Sequence, residues 1–231
     1  MKRFWTAAAA VRGHHCWIIE LDGKPLRTPA RAVLELPTEQ LAQAVAAEWA
    51  AAGENVNPRA MPLTGLANAA VDRIAPDPKA FAQGLAKYAE ADLTCYRAEG
   101  PSKLVEVQSA AWDTLLGQAR RGYDVDFAVT NGLVHVSQPK GTIERLAHEV
   151  HQLAAFELAA LSPLVTIGGS LVAALALIDG ALSADDAWGA VSVDERWQID
   201  QWGADPEAVA ALDNRRRDFL AAARFLALLR D

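Results

Sequence analysis

The chain has 231 residues, a formal charge of -7 at neutral pH, 52% hydrophobic residues, two cysteines and seven tryptophans. It is long enough to bury a substantial core, as one large domain or two small ones, without a metal or disulfide staple. Cys16 and Cys95 cannot make a disulfide framework and fit a reducing compartment, and the acidic balance argues against a phosphate-backbone binder, so no nucleic-acid partner is expected.

The opening Met1-Lys2-Arg3-Phe4-Trp5 is followed by Ala7 to Ala10, and charge returns at Arg12. That apolar run is too short for a secretory signal, and no Arg/Ser-rich amphipathic presequence is present, so the expected location is a bacterial-type cytoplasm. Trp17 to Leu21, a turn at Asp22-Gly23, a short segment from Leu26 and another at Ala32 to Leu36 predict a small antiparallel sheet. Thr38 is placed to cap a helix carrying Leu41, Val45, Ala46 and Trp49, and Met61-Pro62-Leu63 introduces a second helix through Leu66, Ala69 and Ile74.

Ala75-Pro76-Asp77-Pro78 is a stiff polar link and the expected domain boundary. The expected fold is therefore α+β: a small N-terminal alpha/beta domain with antiparallel strands over 1–76, then a mainly α-helical C-terminal domain over 77–231. In the second part the spacing predicts helices over 79–92, 102–120, 142–161, 170–179, 183–190, 193–202 and 205–229, the last interrupted near Leu212-Asp213. Val125 to Val129 and Leu133 to Val136 flank Asn131-Gly132 and read either as a tight hairpin or as extended linker. Leu158 to Ile178 holds no charged residue and has the length of a membrane span. Ser162-Pro163, Thr166 and Gly168-Gly169-Ser170 interrupt it, which predicts the end of one helix, an irregular connection and a second buried helix, with no stable membrane insertion.

Residues with chemistry are scattered. Glu144, His148 and His151 share a helix face but span about 10 Å at roughly 1.5 Å per residue, too far to converge on one ion. His14 and His15 point apart if the backbone is extended. The Gly168-Gly169 run has no P-loop lysine, Ser170 lacks a nucleophile-elbow pattern, and the expectation is no catalytic, metal or cofactor site. Charge concentrates over 185–207, where Asp185, Asp186, Asp194, Glu195, Asp200, Asp205 and Glu207 outnumber Arg196. Trp188, Trp197 and Trp202 lie inside that segment. Glu195, Gln198 and Trp202, at i, i+3 and i+7, fall on one helical side, where a carboxylate, an amide and an aromatic edge either cap a core or read a partner's backbone and basic side chains.

Taken together, several motifs resemble the ATP synthase assembly chaperones that bind the unassembled alpha subunit of the catalytic head. In the first part these are Arg3-Phe4, Leu21-Asp22-Gly23-Lys24-Pro25-Leu26, Thr28-Pro29, Leu36-Pro37, Ala47-Glu48-Trp49 and Met61-Pro62-Leu63-Thr64. In the second they are Asp92 to Ala98, Gln108 with Trp112-Asp113, Gly169-Ser170-Leu171, Ala174 to Leu177, and Glu195, Gln198 and Trp202-Gly203. The resemblance implies binding without catalysis or cofactor and a chain that is monomeric when free. It implies partner contact through Glu195, Gln198 and Trp202, with Asp92, Arg97 and Trp112 either organising the fold or touching the partner. After Trp202-Gly203 the family commonly continues to an acidic residue and His-Asp; here Ala204-Asp205-Pro206-Glu207 follows, so Asp205 or Glu207 stands in for that feature or the contact there is weaker. The rival readings are a hydrolase using an acidic cleft, which requires a deep pocket joining Asp92, Glu195 or Asp205 to a nucleophile, and a structural or membrane-associated assembly factor.

Overall fold

The computed structural model describes residues 2–230. They divide into two compact units: one runs up to Pro78 and includes Ala154–Ala160 and the residues from Ala221 onward, and the other comprises Lys79–Leu153 and Leu161–Leu220. An N-terminal mixed α/β region with antiparallel strands is followed by a mainly helical region.

In the first unit, β2 (Trp17–Leu21) is the centre of the sheet. It pairs antiparallel with β1 (Ala8–Arg12), β3 (Lys24–Pro25) and β4 (Glu35–Leu36). The tight β2–β3 turn puts both Asp22 and Gly23 at positive φ, as this kind of two-residue hairpin requires. Asp22 also accepts hydrogen bonds from Thr6 and Ala7, which hold its carboxyl below the usual range and tie the chain entry to the turn. Strand β1 was not expected, because four alanines carry little strand preference; its register is imposed by β2. The expected Ala32 to Leu36 strand is reduced to β4, with a single bridge between Arg27 and Val33 before it.

Helix α1 (Glu39–Ala51) starts at Thr38, whose hydroxyl accepts from Leu41 N–H at 3.3 Å, and it lays Leu41, Val45 and Trp49 on the sheet. Helix α2 (Pro62–Ala69) continues as a π turn over Ala70–Ile74. Its first turn has no cap of its own. Glu48 of α1 supplies one, accepting from Leu63 N–H at 2.8 Å, Thr64 N–H at 2.8 Å and the Thr64 hydroxyl at 2.7 Å.

The second unit is built around α7 (Leu171–Ile178), an apolar helix buried on all sides from Leu171 to Leu177. Helix α4 (Ser102–Tyr123) packs on it and on α8 (Ala184–Val191) and α9 (Val193–Trp202). Before these, α3 (Pro78–Ala86) gives way to 3-10 turns at Lys87–Ala91 and Leu93–Cys95 on either side of an extended Asp92, so the expected continuous helix over 79–92 is shorter. The expected helix over 142–161 is two helices, α5 (Lys140–Gln152) and α6 (Ala155–Gly168), parted at Leu153. Helix α6 runs through Pro163, contrary to the expected break. The ring forfeits one backbone hydrogen bond, but Leu158, Ala160, Leu161, Leu164 and Val165 are all buried around it. The interruption falls instead at Gly169, at positive φ, and Ser170, which caps α7 by accepting from Ala173 N–H. Among the described residues, no helix is long and apolar enough to cross a membrane. Helix α10 (Pro206–Ala227) is unbroken at Leu212-Asp213.

No hairpin forms at Asn131-Gly132. Of those two residues only Gly132 takes positive φ, and Thr130–Asn131 (β6) pairs in parallel with Tyr96–Arg97 (β5). The flanking segments have no regular secondary structure and are tied together by the Gln138 side chain, which bonds both the N–H and the carbonyl of Ala128.

Glu48→Ala leaves the first-turn N–H groups of α2 without their carboxylate, at an expected cost of about 2 kcal/mol. Urea unfolding measures it; an unchanged midpoint would show that the cap contributes nothing.

Candidate partner-binding groove

Helix α9 is held from beneath by α4. Trp112 Nε1 donates to the Ala190 carbonyl at 2.7 Å, and buried Gln108 donates from Nε2 to Asp194 Oδ1 at 2.7 Å while accepting from Ala98 N–H. Trp188 packs on Phe219 of α10, ring centres 5.5 Å apart. Asp194 and Glu195 in the first turn complement the positive end of the α9 dipole. The helix ends at Gly203, whose φ of 87° lets the chain reverse. Asp205 then caps α10, its carboxylate accepting from Ala208 N–H at 3.1 Å.

Between α9 and α10 lies an open groove of about 490 Å³. Glu195, Gln198, Ile199, Trp202, Asp205, Leu212 and Arg215 contribute to its walls. Four of the five residues expected to meet a partner are thus together. Glu207, on the exposed first turn of α10, is not part of the lining. The Trp202 side chain is 75% exposed, with only an edge contact to Trp197 at 5.9 Å between ring centres. Gln198 is exposed, and no hydrogen bond of its amide is among those found in the described residues.

Glu195 is not a free charge. Arg215 Nη1 meets its Oε1 at 2.6 Å, and Nη2 of the same guanidinium donates to the Ile167 carbonyl at 3.0 Å. This half-buried pair fixes the carboxylate's direction more than it adds stability. It stands between the main groove and a smaller cleft of about 320 Å³ that shares Glu195, Gln198 and Arg215 and extends to Leu93 and Asp194. Arg215 was not singled out from sequence; the signal was the Arg215-Arg216-Arg217 run opposite an acidic stretch. Arg216 likewise meets Asp185 at 3.0 Å.

The other three candidates lie inside the second unit. Asp92 is fully buried: Oδ1 accepts from Thr94 N–H, the Thr94 hydroxyl and the Ser170 hydroxyl, and Oδ2 from Val172 N–H at 2.9 Å. Burial drives this carboxyl above its ordinary range, and the four hydrogen bonds work against that rise. Arg97 donates to the Thr94 carbonyl and to Asp113, and its guanidinium lies 4.9 Å from the centre of the Trp112 ring. Neighbouring Cys95 is wholly buried, its thiol pushed up to about 12 by burial and by the Asp92 charge.

No hydroxyl or thiol side chain is part of the main groove's lining. Among the described residues, no group of three or more His, Cys, Asp or Glu side chains is placed to hold a metal. Glu144 pairs with Lys140, and the His151 ring meets the Ala147 carbonyl. The groove presents an aromatic plane, an amide and fixed charges on two exposed helices, a set suited to binding a protein surface.

The model of the ATP12 chaperone protein family matches residues 2–120. The chain belongs to the ATP12 chaperone family. The structure is similar to the crystal structure of Atp12 from Paracoccus denitrificans, with a TM-score of 0.93, 39% identity and coverage of 99% of this chain and 98% of that one. It is similar, too, to the Atu1473 protein of Agrobacterium tumefaciens, with a TM-score of 0.94, 36% identity and coverage of 99% and 86%. A Schizosaccharomyces pombe protein named atp12, mitochondrial, is 24% identical over 88% of this chain and 74% of its own length. The family is the one its motifs resemble, and its general role is that of a chaperone in ATP synthase assembly.

The contrast between groove and core predicts opposite stability effects. Trp202→Ala leaves urea stability within about 0.5 kcal/mol, since the ring is solvated. Asp92→Ala strands two hydroxyls and two N–H groups, at a cost of about 3 kcal/mol or more. Equal losses in the two variants would contradict this division.

Proposed function

We propose that the chain binds the unassembled alpha subunit of the ATP synthase catalytic head, covers the surface destined for beta, and leaves as beta takes that surface. Family membership supports the class of activity. The observation that carries the specific reading is the α9–α10 groove, where Trp202 stands in solvent beside Gln198, Glu195 and Asp205 on helices whose own packing does not use it.

An isolated subunit exposes the apolar interface it later buries, which is an aggregation hazard. A chaperone that covers it needs a wide shallow face and no covalent step, and the groove is open and has no hydroxyl or thiol lining. Trp202 supplies the apolar anchor, Gln198 bonds a partner backbone group, and the Arg215-held Glu195 meets a cation. Asp200 of α9 and Glu207 of α10, both exposed, add negative charge to these two helices, which speeds encounter with a basic patch and orients it more than it sets affinity. Binding must be reversible; dissociation constants from micromolar to nanomolar, about -8 to -12 kcal/mol, meet that need. The free chain is proposed to be a monomer of a bacterial-type cytoplasm.

Co-expression with the alpha subunit, followed by gel filtration, tests the reading. A one-to-one complex forms, disappears when beta is co-expressed, and is weakened roughly tenfold or more by Trp202→Ala in a variant of unchanged stability. Full capture by that variant, or a complex that persists with beta, would overturn it.

A further inference from the structure

Another concave surface lies wholly within the first unit. It is a groove of about 370 Å³ lined by Phe4, Leu21, Lys24, Pro25, Leu26, Arg27 and Trp49. The sequence motifs around Phe4, Leu21 to Leu26 and Trp49, far apart in the chain, meet here. Phe4 is 73% exposed. Next to it, Arg3 donates to the carbonyls of Trp5, Thr6, Ala50 and Ala52, closing the end of α1, and Arg3 N–H bonds the Glu54 carbonyl. The aromatic ring is therefore presented to solvent by a fixed strap.

A further feature specifies what fits. The charged side chains lining the groove are both cations. Lys24 has no carboxylate within ion-pair distance among the described residues, and the bond found for Arg27 is to the Arg31 carbonyl.

We infer that this groove docks an extended acidic segment of a protein partner, an apolar side chain lying against Phe4, Leu26 and Trp49 and flanking carboxylates meeting Lys24 and Arg27. The groove is concave with two cations in a chain of net charge -7, which fits a peptide better than an anionic membrane.

The full chain is titrated with fluorescent heptapeptides in which a central leucine or phenylalanine is flanked by glutamates or by serines. Glutamate-flanked peptides bind at least tenfold more tightly than serine-flanked ones. Phe4→Ala and Lys24→Glu, both at exposed positions, each abolish that preference without changing the melting temperature, and Trp202→Ala leaves it intact. Equal binding of the two peptide sets, or a preference surviving both groove variants, overturns the inference. So does Phe4-dependent sedimentation with anionic phosphatidylserine vesicles without peptide discrimination, which would make the groove a lipid contact. Loss of preference in Trp202→Ala would place the acidic peptide in the α9–α10 groove instead. Because this assay contains no alpha subunit, its failure and that of the proposed function are separable.

Discussion

A single buried carboxylate holds together the parts of the second unit on which everything else is mounted. Asp92 reaches from the 3-10 turns after α3 to the start of α7, joining Thr94 on one side to Ser170 and Val172 on the other. Charge in an apolar interior is costly unless its hydrogen bonds are complete, and here four donors converge on it. The arrangement fixes the direction of the chain into Arg97, and Arg97 in turn lies against Trp112 and Asp113 of α4. From α4, Gln108 and Trp112 carry the constraint to Asp194 and to the end of α8. The position of α9 is thus determined from inside the unit by polar bonds of defined geometry, against the background of a closely packed apolar α7.

With α9 fixed from inside, much of its outer face and of the start of α10 stays exposed. Residues 203–208 are all exposed, and the aromatic ring of Trp202 is left in water. Leaving an indole exposed forgoes the stabilisation its burial would provide, which is the ground on which Trp202 is proposed as a partner anchor. The Glu195–Arg215 pair is likewise set in place: the guanidinium is anchored on the Ile167 carbonyl, and it holds the carboxylate in one direction. Preorganisation of this kind lowers the ordering cost of association. It suits a chaperone, which gains from fast capture and must also let go.

Much of this was legible in the chain. The apolar strand run Trp17 to Leu21, the Asp22-Gly23 turn and the Thr38 cap are local signals, and all three read correctly because local chemistry decides them. The spacing of Glu195, Gln198 and Trp202 placed three groove residues on one side of a helix. What periodicity missed was decided by distant partners. Strand β1 exists because β2 offers it an edge, Asn131-Gly132 pairs with Arg97 instead of turning back, and Pro163 is carried through α6 by the apolar surroundings of its neighbours. Arg215 escaped notice for the same reason, since its significance depends on Glu195 and Ile167, respectively twenty and forty-eight positions away. Asp92 and Arg97 were legible as noteworthy residues, but only the packed structure displays their separate networks.

The central claim is that the exposed face of α9 and α10 is where the alpha subunit is held. Amide hydrogen exchange on the chain alone and in complex with the purified alpha subunit addresses it directly, because it reports where exchange slows without altering any residue. The account predicts that slowing concentrates over residues 195–212 while the amides of α7, already protected in the core, exchange at the same rate in both states. Unchanged exchange over 195–212 in a demonstrably formed complex, with protection appearing elsewhere, would contradict it.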